Sequence, residues 1–139
     1  MKLFVDTNVV LDLLQYREPW VYDTLVLFQL AMENKVELVV SDLTFVNVAY
    51  VAGKNADKKT LKETLVKLKK LVTIVSIGDV CVEQALSDDF VDFEDAVQYF
   101  SAKRERVDYI LSRDKKGFQM SDIPVTDVAT FLNSFVQAL

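Results

Sequence analysis

The sequence contains no histidine among its 139 residues, and this absence excludes several kinds of chemistry. Histidine is the commonest general base in enzymes and the commonest nitrogen ligand of protein-bound metals. Serine and cysteine hydrolases that use a histidine base are therefore excluded, as are ribonucleases that depend on histidine. Any catalysis by this chain must depend on carboxylates, lysines, hydroxyl groups or a metal ion held by oxygen atoms.

Cysteine, glycine and proline are also scarce. The single cysteine, Cys81, excludes an intramolecular disulfide and a cysteine zinc site, and its setting in GDVCVEQAL indicates a buried residue. Only three glycines and two prolines occur in a chain that is 51% hydrophobic, which is typical of a compact, helix-rich domain.

Long apolar runs are missing as well. The first run, from Leu3, stops at Asp6, and no run approaches the ~18 apolar residues that a membrane-spanning helix needs. The same early stop argues against an N-terminal signal segment. We therefore expect a soluble, cytoplasmic protein that has no membrane partner.

The net charge of −5 argues weakly against a nucleic-acid partner, because proteins that bind nucleic acids usually show a basic surface. Positive charge is nevertheless concentrated in two segments, KNADKKTLKETLVKLKKL and AKRERVDYILSRDKK. A basic rim around an acidic pocket would give the same total charge.

Short apolar segments alternate with helical patterns along the whole chain. Five segments are predicted strands: KLFV, VELVV, VTIVSI, VDYILS and IPV. Because these segments lack apolar–polar alternation, both of their faces should be buried, as in a parallel sheet covered by helices. We predict a single α/β domain over residues 1–139, with three α/β/α layers around a short-stranded parallel sheet of about five strands.

Acidic and polar residues fall where predicted strands end or helices begin. They are Asp6 and Asn8 after the first strand, Asn47 in the helix after the second, Asp92, Glu94 and Asp95 at the start of the helix before the fourth, and Asp114 after the fourth. In open parallel sheets, ligands bind beyond the carboxyl ends of the strands. Carboxylates that converge there repel one another unless a cation lies among them, and oxygen ligands suit Mg²⁺ or Mn²⁺.

Each of these residues also has a simpler interpretation when it is taken alone. Asp6, Asp92 or Asp95 would serve as an ordinary helix cap or first-turn residue, and Asp114 as a turn residue. The amide of Asn47 would bond its own helix as readily as a ligand. The prediction of a site depends on all of these signals falling together.

The order and spacing of these blocks resemble a PIN domain. The resemblance covers nearly the whole chain, in FVDTNVVLDLL, SDLTFVNVAYV, DFEDAVQYFSA, DYILSRDKKGF and IPVTDVATFL. It implies a ribonuclease that depends on Mg²⁺ or Mn²⁺, with a parallel sheet flanked by helices and usually a homodimeric assembly. Many PIN domains are VapC-type toxins, so an antitoxin protein is an implied partner beside RNA.

The resemblance also implies a role for each matching residue. Catalytic and metal-binding roles go to Asp6, Asp95 and Asp114, a further metal ligand to Asp92, and supporting roles to Asn8, Asn47 and Glu94. Asn47 stands where many VapC-type toxins carry a glutamate, so the likeness is to a subgroup with a DFEDA motif that lacks this acid. Whether one ion or two are bound is left open.

The implied reaction is hydrolysis of RNA phosphodiester bonds by a water that the ion activates. Arg113, Lys115 and Lys116 are expected to bind the RNA backbone, and a solvated surface is the alternative for them. Asn47 favours a second hypothesis, a weakened PIN scaffold that acts as a protein- or RNA-binding module. A phosphoacceptor domain is disfavoured, because Asn8 stands where dehalogenase-type enzymes carry a second aspartate.

Overall fold

The computed structural model describes residues 1–138, within which five strands and seven helices form. The strands are β1 (Lys2–Val5), β2 (Glu37–Ser41), β3 (Val72–Val75), β4 (Tyr109–Leu111) and β5 (Val125–Thr126). The helices are α1 (Thr7–Leu14), α2 (Trp20–Met32), α3 (Asp42–Gly53), α4 (Lys58–Leu71), α5 (Gly78–Leu86), α6 (Phe93–Arg104) and α7 (Val128–Gln137). The predicted α/β fold and its strand count are confirmed. The last residue of the predicted domain, 139, lies outside the described residues.

The strand order is β3-β2-β1-β4-β5, and every neighbouring pair is parallel. Leu3 in the central strand β1 pairs with Leu38 of β2 on one side and with Tyr109 of β4 on the other. The chain builds outward from β1 to β3 and then crosses back to β4, so the order reverses between β1 and β4. A crevice at such a reversal, outside the carboxyl ends of the strands, is the usual ligand site of an open parallel sheet.

Both faces of the sheet are covered by apolar side chains. Leu3 and Val5 belong to one core cluster, with Leu27 of α2, whereas Phe4 belongs to another, with Tyr99 of α6. Successive side chains of a strand point to opposite faces, so β1 contributes to both clusters in turn. Two buried faces explain why the strand segments are apolar throughout, and they confirm the three-layer prediction.

Polar side chains cap the helices that follow the strands. Asp6 caps α1, Ser41 caps α3, Asp92 caps α6 and Asp127 caps α7, each by accepting a hydrogen bond from a backbone amide of the first turn. Cys81 is buried, as predicted. None of the described helices is long and apolar enough to cross a membrane.

A buried ion pair joins α1 to the segment after β4. Asp12 is 1% exposed, and its carboxylate accepts hydrogen bonds from Nη2 of Arg113 at 2.9 Å and from Nε at 3.1 Å. The guanidinium carbon lies 3.8 Å from the centre of the Trp20 ring. Two parallel hydrogen bonds and an aromatic face restrain the guanidinium more than a single contact would. Because Arg113 precedes Asp114, the pair also restrains the segment that carries Asp114.

We expect Asp12→Ala to lower the free energy of unfolding by about 2–3 kcal/mol, because Arg113 loses its partner. This is less than the about 3–5 kcal/mol of a fully buried pair, because 29% of the Arg113 side chain is exposed. Chemical denaturation measures the change, with the exposed Asp88→Ala as the matched control. Combining Asp12→Leu with Arg113→Met should restore part of the loss, since the guanidinium of Arg113 is then not left without its partner, while the more distant and partly exposed Arg17, 3.9 Å from Asp12, can be solvated by water. An Asp12→Ala variant as stable as the control would contradict this role.

Candidate active site

A cleft of about 440 Å³ opens at the carboxyl ends of β1 and β4, where the strand order reverses. Seven of its lining residues are the acidic and polar residues predicted from the sequence: Asp6, Asn8, Asn47, Asp92, Glu94, Asp95 and Asp114. The others are Thr7, Leu11, Tyr50 and Val51. Residues from the junction of β1 and α1, from α3, from the start of α6 and from the segment after β4 therefore meet in one cavity.

Asp6 is held at both carboxylate oxygens. Oδ1 accepts a hydrogen bond from the amide of Thr7 at 2.8 Å, and Oδ2 accepts one from the hydroxyl of Ser112 at 2.7 Å. The same hydroxyl oxygen accepts a hydrogen bond from the amide of Asp114 at 2.9 Å. Ser112 therefore connects the carboxylate of Asp6 to the backbone of Asp114. Asp6 is only 5% exposed. Its carboxylate caps α1 and at the same time lines the cleft.

The first turn of α6 carries three carboxylates. Oxygen atoms of Asp92, Glu94 and Asp95 all lie within 4.8 Å of one another. Asp92 Oδ1 accepts a hydrogen bond from the amide of Asp95 at 3.0 Å, and Gln98 Nε2 donates one to Glu94 Oε1 at 3.0 Å. Helix capping and a bond from the next turn thus hold these acids in place.

Asp95 and Asp114 converge beside Gly117. Asp114 Oδ1 accepts a hydrogen bond from the amide of Gly117 at 3.0 Å. A Cβ atom added at Gly117 would overlap Asp95 Oδ2 and lie 2.7 Å from Asp114 Oδ2. A residue without a side chain is therefore needed at position 117 to let the two carboxylates approach the same point.

The environment of the cleft disfavours negative charge on two of its acids. Burial raises the pKa of Asp6, and Glu94 and Asp114 raise it further, although the hydrogen bond from Ser112 opposes them. Burial is also the main cause that raises the pKa of Asp95 to about 7, followed by repulsion from Glu94, Asp92 and Asp6. A cation among these oxygens would relieve the repulsion, and an all-oxygen donor set suits Mg²⁺ or Mn²⁺.

A polar network that the sequence did not reveal lies behind the cleft. The hydroxyl groups of Thr7 and Thr44 are 3.0 Å apart, and Gln98 Nε2 donates to the Thr44 hydroxyl at 2.9 Å. Gln98 is fully buried, and its Oε1 atom has no hydrogen-bond partner among residues 1–138. With the bond from Gln98 to Glu94, this network joins the start of α1 to α3 and α6.

The basic residues expected to bind RNA do not line the cleft formed by the described residues. Arg113 is committed to Asp12, while Lys115 and Lys116 are exposed in the segment after β4. Lys103 pairs with Asp122 at 3.2 Å, and Arg104 donates to the carbonyl oxygen of Ile77 at 2.9 Å. The structure thus separates the acidic residues, which it brings together, from these basic ones.

Comparisons with known proteins agree with this geometry. The sequence matches the PIN domain family over residues 2–116. It is 32% identical over 135 residues to Ribonuclease VapC1 of Aquifex aeolicus (strain VF5), in an alignment that covers 94% of this chain and 92% of that protein.

Two solved structures share the fold. One is the crystal structure of VapBC2 from Rickettsia felis bound to a DNA fragment from their promoter. A chain of that structure superposes with a TM-score of 0.67 at 15% identity, and the alignment covers 91% of the present chain and 98% of the Rickettsia chain. A chain of a toxin–antitoxin complex from Klebsiella pneumoniae has a TM-score of 0.66 at 21% identity, with coverages of 92% and 98%. Since the family match spans residues 2–116 and the Aquifex relative is similar over nearly its full length, the chain belongs to the PIN domain family and is a homologue of VapC-type ribonucleases.

Proposed function

We propose that this protein is an endoribonuclease that hydrolyses RNA phosphodiester bonds with Mg²⁺ or Mn²⁺ bound by Asp6, Asp95 and Asp114. The observation that carries the proposal is the convergence of these carboxylates in one cleft, where burial and repulsion raise the pKa of Asp6 and of Asp95. The homology to an Aquifex ribonuclease supports the same reaction. Asp92 is a further candidate ligand, because its carboxylate lies beside that of Asp95.

A divalent ion in such a site supplies water activation and stabilises charge on the phosphate. The protein's own residues hold the carboxylates in place for it. Asp6 is fixed at both oxygens by Thr7 and Ser112, and Asp114 is fixed by the amide of Gly117. Asn8 and Asn47 line the same cleft and offer neutral amide groups to substrate oxygens or water.

Asn47 favours a second candidate function, a PIN scaffold with a weakened metal site that binds RNA or protein without cleaving it. Asn47 lies half-buried in the wall of the cleft, where its amide is a poorer ligand for a hard cation than a carboxylate. Calorimetric titration with Mn²⁺ separates the two functions. The enzyme would bind Mn²⁺, whereas a protein that binds none at millimolar concentrations would be the scaffold.

We also propose that the enzyme is the toxin of a toxin–antitoxin pair, with a small antitoxin protein as its partner. The support is the VapC-type relative and the shared fold with a chain of the Klebsiella complex. Induced expression of the wild-type protein should arrest growth, whereas Asp95→Asn should not. The homodimer implied by the resemblance and the cytoplasmic location expected from the sequence stay predictions.

Asp6→Asn and Asp95→Asn should each lower Mn²⁺-dependent cleavage of single-stranded RNA by at least about 100-fold, because several kcal/mol of charge stabilisation are lost. Cleavage is measured by gel electrophoresis of a labelled oligoribonucleotide, and circular dichroism checks the fold. Asp88→Asn, an exposed change outside the cleft, is the matched control. Unchanged cleavage by both variants would indicate a contaminating nuclease.

Gly117→Ala should weaken Mn²⁺ binding by about 10-fold or more, since supporting changes around metal ligands typically cost 10–100-fold in affinity. The added methyl group would displace the carboxylates of Asp95 and Asp114, while the fold is retained. Calorimetry measures the affinity, and the exposed Gln119→Ala in the same segment is the control. Equal affinity in both variants would show that the two carboxylates do not share an ion.

The stability of the metal-free protein should fall as the pH rises from about 5 to 8, by on the order of 1 kcal/mol once solvent screening of the carboxylates is taken into account. The pKa of Asp95 is about 7 in the folded protein and 3.8 in its ordinary state, so the folded protein binds more protons in this range. No imidazole titrates there, because the chain has no histidine.

Urea unfolding in EDTA at several pH values measures this dependence. Asp95→Asn should flatten it, because the amide does not titrate. Saturating Mn²⁺ should raise stability most at high pH, where protons compete least for the carboxylates. Metal-free stability that rises between pH 5 and 8 would contradict the assignment.

A further inference from the structure

An aromatic side chain projects from the wall of the cleft. Tyr50 of α3 lines the cleft together with Asn47, which precedes it by three residues and shares its helix face. The Tyr50 side chain is nevertheless 71% exposed. A tyrosine so exposed contributes little to the core, so the fold gives no reason for an aromatic ring at this position.

A cation lies over the same ring. Lys54, four residues after Tyr50, places its Nζ atom 5.1 Å from the ring centre. Two further exposed lysines, Lys58 and Lys59, follow within five residues at the start of α4. These lysines therefore place positive charge next to a cleft whose own charged lining residues are all acidic.

Because the cleft is acidic, residues around it have to supply the favourable contacts that hold an RNA strand there. The chain carries a net charge of −5, and Arg113 is committed to Asp12, so the cleft does not attract an anionic backbone through that residue. Base stacking on an aromatic ring needs no charge, and it tolerates any sequence because every base has a flat face. With Lys54 over one face of the exposed ring, a base would stack on the other face, and the ammonium group is near enough to contact the adjoining phosphate.

We propose that Tyr50 and Lys54 form a binding subsite for single-stranded RNA, in which Tyr50 stacks on an unpaired base and Lys54 contacts a neighbouring phosphate. This inference rests on the proposed function, because it assigns a substrate contact to the same cleft. A contact with a protein partner is the other use of an exposed tyrosine. The shared cleft and the cation over the ring favour RNA, because the pair matches a flat base next to a phosphate.

The test measures binding of a short, labelled single-stranded oligoribonucleotide by fluorescence anisotropy. Asp95→Asn serves as the parent protein, so that cleavage does not interfere. Tyr50→Ala should raise the Kd by about 5- to 100-fold, the range expected for the loss of one stacked base. Tyr50→Phe should bind like the parent, because the ring is kept.

Lys54→Ala should weaken binding and reduce the slope of log Kd against log salt by about 0.7, the value for one phosphate contact to a single strand. Tyr22→Ala and Lys35→Ala are the matched controls and should bind like the parent. Tyr22 is 51% exposed on α2, and Lys35 precedes the amino end of β2, whereas the cleft lies at the carboxyl ends of the strands. A duplex of the same sequence should show no dependence on Tyr50, because its bases are not free to stack on a side chain.

The outcomes separate this subsite from the proposed catalysis. If the wild-type protein does not cleave RNA but Tyr50→Ala still weakens binding, the catalytic proposal fails and the subsite stands. Binding by Tyr50→Ala equal to that of the parent overturns the subsite. Equal losses in Tyr50→Phe and Tyr50→Ala also overturn it, because the hydroxyl group rather than the ring would then be the contact.

Discussion

The pairing of β1 with β4 is the contact on which the arrangement of the cleft depends. Phe4 pairs with Ile110 and Val5 with Leu111, so the two parallel strands end at the same level. The amide of Asp6 continues the ladder by donating to the carbonyl oxygen of Leu111 at 3.0 Å. The carboxylate of Asp6 is thereby placed within reach of the residue that follows Leu111. Because both faces of β1 are buried, a shift of one residue would exchange its side chains between the two cores, so the register is strongly specified.

The core stabilises the folded chain, whereas the acidic residues of the cleft destabilise it. Apolar burial on both faces of the sheet stabilises the strands, whereas the carboxylates that the strands carry to their ends repel one another. Local hydrogen bonds keep the acids in place despite this repulsion. Asp6 and Asp92 each cap a helix while they line the cleft, so the helix-capping interpretation of these residues is confirmed and is compatible with the chemical role proposed for them.

The elements of the fold were predictable because their signals are local. Apolar runs mark the strands, and the acids at Asp6 and Asp92 mark the starts of helices α1 and α6. The meeting of the acidic residues was also predictable, because parallel strands end at one edge of the sheet. None of these inferences required knowledge of a specific long-range side-chain contact.

The contacts around the acids were not predictable, because they join distant parts of the chain. Ser112 and Asp6 are 106 residues apart, and Gln98 and Thr44 are 54 apart. The ion pair of Arg113 was missed for the same reason, since its partner Asp12 is 101 residues away. One signal was available, because a charged residue within the apolar run VVLDLL has to find a partner if it is buried.

The three residues that follow β4 serve different parts of the molecule. Ser112 bonds Asp6 in the cleft, Arg113 bonds Asp12 of α1, and Asp114 returns to the cleft. An insertion or deletion of one residue here would exchange these directions, and would place a guanidinium among the acids and a carboxylate beside Asp12. The number of residues in this segment is therefore as constrained as their identity, and the constraint extends to Gly117, because its amide donates to Asp114 from three residues further along the chain.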